Sequence, residues 1–231
     1  MPDPFATSVW SRPPRSGGGS PALSRDQIVK AALELLDTEG IDGLSMRRLG
    51  AKLGSGATSV YWHVANKDEL LDLAIDAVMG EVPLPAADAD WRTAAAAMVR
   101  GMRDVLVRHA WIASLFGVRL NVGPNSLSLG EATITLLERA GFPPDEAAYA
   151  AALLSSHAIG AAVTTAAWHT AVARSGLSEA ELGRSVSEFQ QQQRDSYPHL
   201  APAPVDIPAF QRDAFEYGLD RLLDGLAARL A

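Results

Sequence analysis

Ser45 to Lys67 is a run of 23 residues without a single carboxylate, in a chain of net charge −7. It reads SMRRLGAKLGSGATSVYWHVANK and carries Arg47, Arg48, Lys52 and Lys67. Gly54-Ser55-Gly56 divides it into two short segments. Before the glycines, Ser45 can cap a helix whose inner face is Met46, Leu49 and Leu53. After them, Ala57 to about Val64 suits another short helix. Two short helices around a glycine turn, stripped of anions, are the layout of a helix-turn-helix that enters the DNA major groove.

The flanks extend this unit. Ser24 and Gln27 fit a capping box, in which each side chain satisfies the other's backbone N–H. Ile28, Ala31, Ala32, Leu35 and Leu36 then recur at helical spacing, and Gly40 suits a left-handed cap. Asn66 and Glu69 form a second capping box that starts a fourth helix near Lys67, with Leu70, Leu71, Ala74, Ile75 and Val78 inward.

The charge is unevenly spread. Residues 1–67 hold eight Lys/Arg against six Asp/Glu, and residues 68–231 hold twelve against twenty-one. An acidic body repels DNA at long range, so the neutral-to-basic head is the part expected to dock. There is no cysteine, which excludes disulfides, thiolate metal sites and cysteine nucleophiles. No apolar run reaches the roughly 18 residues of a membrane span. The N-terminus lacks a charged start followed by an apolar stretch, so no secretory signal is expected. A cytoplasmic protein is the simplest expectation.

Residues 1–23, rich in Pro, Gly and Ser, read as a flexible tail. Arg12 and Arg15 there have the chemistry to reach a minor groove, or to stay solvated. Beyond residue 80 the pattern stays helical. Trp91 to about His109 is one helix, with a shorter piece near Trp111 to Val118. Ser126 to Ala140 is another, closed by Gly141. Pro143 and Pro144 open a long apolar helix through about Arg174, expected to be buried on most sides. Residues 175–207 are mixed: a polar amphipathic stretch around Ser178–Arg194, then a Pro-rich loop. The last helix spans roughly Pro208–Leu230, with Phe215, Leu219, Leu222, Leu223 and Leu226 on one face. The expectation is an all-α protein with a helix-turn-helix domain at 24–80 and a larger helical domain at 81–231.

The string SRDQIVKAALELLDTEGIDGLSMRRLGAKLG…SVYWHVANKDELLDLAID resembles the DNA-binding domain of the tetracycline-repressor (TetR) family, and YWHV-x-NK-x-x-LL is especially close to the tetracycline-repressor branch. The likeness is strong over about 24–80. It is fainter at Trp91, Gly141–Ala147 and the closing FxxGLxxLLxGL of Phe215–Leu226. The resemblance implies a homodimer in which each subunit has a three-helix DNA-binding head and a ligand-binding body. It also implies that the helices within about 144–173 and 208–230 of two subunits form a four-helix bundle.

Carried over position by position, the resemblance puts Arg47, Ala57, Thr58, Ser59, Tyr61, Trp62, His63 and Lys67 against DNA. Their chemistry suits the task. Arg47 can donate bidentately to guanine, and Thr58 and the Tyr61 ring can meet thymine methyls. Ser59 and the Tyr61 hydroxyl can bond phosphates or base edges. Lys67 starts a helix, where backbone N–H groups also attract phosphate. Ala57 stands where the tetracycline repressor has an amide, so a different operator is expected. Tyr61 and Trp62 also admit a plainer role as core packing, and His63 one as a solvent-facing cap. Arg48 and Lys52 read as surface charges rather than base readers.

In the tetracycline branch a histidine after the fifth helix helps hold a magnesium-bound drug. Phe116 falls at that position, Leu120 at a neighbouring arginine, and Met98 and Met102 at polar contacts. The metal-chelating contacts are thereby lost, and neither a metal nor a cofactor is expected. The candidate effector-binding set is Met98, Met102, Trp111, Phe116, His157 and Trp168, with His169 as a further polar handle. The plainer alternative is that these are ordinary core. His157 and His169 lie about 120° apart around a helix and make no metal pair. His109 is expected to be structural.

The expected function is a ligand-responsive transcriptional regulator. Its partners would be a double-stranded DNA operator, a small, largely apolar or aromatic effector, and a second copy of the chain, with no membrane. Effector would favour a body conformation that moves the fourth helix and takes the recognition helices out of register. The alternative is an activator or a regulator that answers to protein. An enzyme is not expected: G-x-S-x-G, a phosphate-binding glycine loop and H-E-x-x-H are all missing from the sequence.

Overall fold

The computed structural model of the chain describes residues 9–11, 23–86, 89–199 and 205–230. Among them every regular element is helical, as the all-α expectation required. Arg12 and Arg15 lie outside the described residues. Val9–Ser11, within the segment expected as a tail, form a turn, with Val9 buried in the apolar core.

The head is built from α1 (Arg25–Gly43), α2 (Met46–Lys52), α3 (Ala57–His63) and the start of α4 (Lys67–Met79). The capping box of α1 is present: Ser24 Oγ accepts from Gln27 N–H at 3.1 Å, and Gln27 Oε1 accepts from Ser24 N–H at 2.8 Å. Ile28, Ala31, Ala32, Leu35 and Leu36 are its buried stripe. Gly40 takes a left-handed φ of 68°, as expected, but the chain then adds one more helical turn before Leu44. Ser45 caps α2 by accepting from Arg48 N–H. Asn66 caps α4 by accepting from Glu69 N–H at 2.8 Å. Glu69 returns to Ala65 N–H at 3.1 Å, one residue before the position a capping box requires.

The body contains α5 (Trp91–Arg108), a 3₁₀ turn (Ala110–Leu115), α6 (Pro124–Ala140), α7 (Pro144–Ser175), α8 (Glu179–Gln192) and α9 (Ile207–Ala227). Asp90 caps α5 through Thr93 N–H, and Ser178 and Glu181 form a capping box for α8. α7 is central, packing on α5, α6 and α9, while α4 leads from the head onto α5 and α6. Leu106, Leu129, Leu154, Ala158, Phe215 and Leu219 are core residues there.

The expectation that α7 is buried on most sides is corrected. Its buried residues, from Ala147 through Leu154 and Ala158 to Ala166, form one flank. Tyr149 and Leu153 stand exposed on it, and Phe210 and Tyr217 on α9. A groove lined by His157, Gly160, Ala161, Phe210 and Ala214 runs between the two helices. The expectation about apolar length is corrected too. α7 is long and apolar enough, by length and composition, to cross a membrane. Its Ser, Thr and His residues interrupt any unbroken run without removing its average apolar character.

Candidate DNA-reading surface and effector cavity

Helices α2 and α3 meet at a glycine. A Cβ on Gly50 would lie 2.9 Å from the Ala57 nitrogen and 3.0 Å from the Ser55 carbonyl oxygen. Both are backbone atoms, so only glycine lets the turn close this tightly. Gly54 supplies the left-handed φ of 64° that reverses the chain. Inward, Leu49, Val60 and Val64 are fully buried and hold the two helices on α1 and α4.

This packing leaves the outer face of α3 open. Tyr61 is 46% and Trp62 52% exposed, which rules out the core-packing reading for both rings. Thr58 and Arg47 are also exposed, while Ala57, Ser59 and His63 are half-buried. Arg47 forms no ion pair among the described residues. Arg48 pairs with Glu39 and donates to the Gly43 carbonyl, and Lys52 pairs with Glu34 at 2.8 Å. The local positive field is therefore weaker than the sequence window implies, and Arg47 and Lys67 are its charges not paired with a carboxylate among the described residues. Lys67 Nζ donates to the Ile41 carbonyl at 2.7 Å, so this residue also fixes α4 to the end of α1.

The second site is a cavity of ≈ 290 Å³ between α4, α5, α6 and α7, with a smaller pocket of ≈ 20 Å³ beneath it. Met102 lines both, Phe116 the outer one and Met98 the inner one. None of the lining residues is charged, and apolar walls with a few polar groups suit a drug-sized molecule. The polar groups were missed in the sequence: Asn121, Ser126 and Thr133 from α6 and the loop before it, and Ser155 from α7. Ser126, Gly130 and Thr133 share one face of α6 at helical spacing, a signal that was there to be read.

Three of the six expected cavity residues lie elsewhere. Trp111 is buried against the head, where its indole N–H donates to Asp37 at 2.9 Å. His157 stacks on Phe215 at 4.9 Å between ring centroids, and its Nε2 lies 2.9 Å from the Phe215 carbonyl oxygen. Trp168 is further along α7, and its Nε1 is buried without a partner. The cause is rotation. Ala151, Ser155 and Ile159 face the cavity, and two residues on from Ser155 is roughly 200° around the helix. His157 therefore faces α9. His169 is exposed, 4.0 Å from Glu179. Among the described residues, no group of three or more His, Asp or Glu side chains is placed to hold a metal ion.

Head and body meet through directed polar contacts. His109 is buried, with Nδ1 2.7 Å from Asp37 and Nε2 3.3 Å from Glu81. Arg119, one residue before the position expected to replace the family arginine, reaches α4 instead of the cavity. It donates to Asp72 at 2.7 Å, to the Asp68 carboxylate at 3.0 Å and to the Asp68 carbonyl at 2.8 Å. The Asp72 bond, then Asp68, raises the Arg119 pKa above its ordinary value.

Residues 28–74 match the family model "Bacterial regulatory proteins, tetR family", and residues 84–230 match "Tetracyclin repressor-like, C-terminal domain". The chain is 38% identical over 223 residues to an HTH-type transcriptional regulator of Saccharopolyspora erythraea, covering 96% of this chain and 92% of that protein. It is 36% identical to the HTH-type transcriptional repressor DrrR1 of Streptomyces coeruleorubidus, covering 94% and 82%. The structure of the Streptomyces coelicolor TetR family protein ActR in complex with actinorhodin superposes with a TM-score of 0.76 at 32% identity, covering 90% of this chain and 97% of that one. A helix-turn-helix head, a helical body with an uncharged cavity, and model matches across both regions together place this chain in the tetracycline-repressor (TetR) family of transcriptional regulators.

Proposed function

We propose that this regulator is a repressor that binds a palindromic operator as a homodimer and is released by a small, largely apolar or aromatic effector. As a TetR-family regulator it is not an enzyme. The observation that carries the reading is the pairing of an exposed, carboxylate-free α3 face with an uncharged cavity, joined by α4. Arg47, Thr58, Ser59, Tyr61 and Trp62 read the major groove, with Ala57 shaping the fit. His63 and Lys67 approach phosphate, and such contacts set register rather than sequence.

Met98, Met102 and Phe116 form the apolar part of the effector site. The complex of the TetR family protein ActR with actinorhodin supports a small-molecule effector. The open face of α7 and α9, with its exposed Tyr149, Leu153, Phe210 and Tyr217, supports dimerisation through a four-helix bundle. Half-sites then lie one helical turn apart, about 34–36 Å. A DNA-binding regulator works where the chromosome is, which supports a cytoplasmic location.

The test is a titration of purified protein on the DNA flanking its own gene, at stated salt and with scrambled competitor. Specific binding by a dimer, lost in Tyr61→Ala, is the expected result. Tyr61→Ala binding like wild type sinks the assignment of α3. Transcription in vitro on the same DNA separates a repressor from an activator.

A further inference from the structure

The N-terminus of α6 has no cap of its own. Its N-cap residue is Gly123, which has no side chain to satisfy the first backbone N–H groups. A carboxylate from another helix does so instead. Asp76, on α4, accepts from Ser126 N–H at 3.0 Å, from Asn125 N–H at 3.2 Å and from the Ser126 hydroxyl at 3.0 Å. The Asn125 side-chain amide returns a bond to the Asp76 carbonyl at 3.1 Å. Asp76 is 3% exposed, so these bonds stand in for its lost water. Gly123 makes room for it: a Cβ there would fall 2.3 Å from the Asp76 carboxyl group.

The acceptor is thus on the helix that leaves the head, and the donors are in the cavity wall. Ser126 lines the cavity, and its one hydroxyl proton has two acceptors in reach, Asp76 and the Asn121 side-chain oxygen at 2.5 Å. Asn121 lines the cavity too. A molecule bound there that hydrogen-bonds either residue competes for the same proton.

We propose that Asp76 is a positioning residue: its carboxylate, lent across helices as the cap of α6, is the tether through which the state of the cavity sets the placement of α4 and of the DNA-reading head. The inference rests on the effector-responsive reading above. It adds the residues that make the connection, Asp76 and Ser126, and gives a reason for Gly123.

The test separates a tether from a cap that merely stabilises α6. Asp76→Ala removes both roles. Asp76→Ala with Gly130→Ala returns helix propensity to α6, at a position where a Cβ meets nothing within 4 Å, while α4 stays untied. The chain has no cysteine, so Ala51→Cys and Ala148→Cys, both on exposed helical positions, accept spin labels that report head-to-body distance alone. Full-length labelled protein is diluted with unlabelled protein, and operator affinity is measured on DNA selected with the wild type.

The expected result is a broadened or shifted distance distribution in Asp76→Ala and at least a tenfold loss of operator affinity. The double variant should recover the melting temperature but neither of those two losses. Recovery of all three in the double variant, or wild-type distances and affinity in the single one, overturns the inference. Should the wild type select no operator while the distances respond as expected, the DNA-binding reading fails and the tether stands.

Discussion

Trp111 donates its indole N–H to the Asp37 carboxylate across 2.9 Å, tying the 3₁₀ turn of the body to the first helix of the head. His109 meets the same carboxylate oxygen at 2.7 Å, so α1 is held to the body by two ring nitrogens converging on one acid. Trp111→Phe keeps the bulk and removes one bond to a charged acceptor. It should cost about 1.5–3 kcal/mol in denaturant unfolding and leave effector affinity unchanged. A large loss of effector binding at intact stability would return Trp111 to the cavity.

Gly50→Ala places a methyl group against backbone rather than against side chains that can swing away. The α2–α3 turn must then open. The head should lose about 1–3 kcal/mol, the usual range for overpacking, and operator affinity should fall with it. Hydrogen exchange should show the loss in α2 and α3, with α7 unaffected. Protection of α2 and α3 identical in Gly50→Ala and the wild type would show that the turn has more room than these contacts allow.

Gly130 offers the opposite case. It lines the cavity, and a Cβ there meets nothing within 4 Å. Gly130→Leu should improve α6 by roughly 0.8 kcal/mol in helix propensity while filling space an effector needs. The expected phenotype is a protein that binds operator normally and no longer responds to effector. Calorimetry against a wild-type effector, once one is found by release of operator DNA, checks it.

Lys67 has two duties that can be separated by salt. Its ammonium group fixes the Ile41 carbonyl, and it lies beside the DNA-reading face. Lys67→Met should weaken operator binding at least tenfold. If the side chain also reaches phosphate, the slope of log affinity against log salt should fall by about one. An unchanged slope would leave only the contact with Ile41.

Stability should decline at acid pH through ion pairs that join distant helices. The Arg100 guanidinium beside Glu216 holds that carboxyl below its ordinary value of 4.5, linking α5 to α9. A depressed pKa adds stability that is complete above the ordinary value and is lost as pH falls through the folded one. Melting temperature should therefore drop on going from pH 6 to pH 3, and Arg100→Gln should flatten part of that drop. An identical acid profile in the variant would assign it to other carboxylates.

The sequence by itself determined the helices and the head. Capping signals at Ser24, Ser45 and Asn66, glycines at 40 and 54, and the stripe from Ile28 to Leu36 are local features, read within one or two turns of chain. The exposure of Tyr61 and Trp62 is not encoded locally, because an aromatic residue on a short helix serves a core as well as a surface. What only the tertiary structure decided was the direction of faces and the pairing of distant groups. Met98, Met102 and Phe116 reached the cavity, while Trp111, His157 and Trp168 did not, because helix rotation and neighbours choose which side of α7 or of the 3₁₀ turn looks inward. Asp76 carries no local signal of its role in the sequence. Its partners lie some fifty residues ahead in the chain, and no local pattern encodes a cap supplied by a different helix.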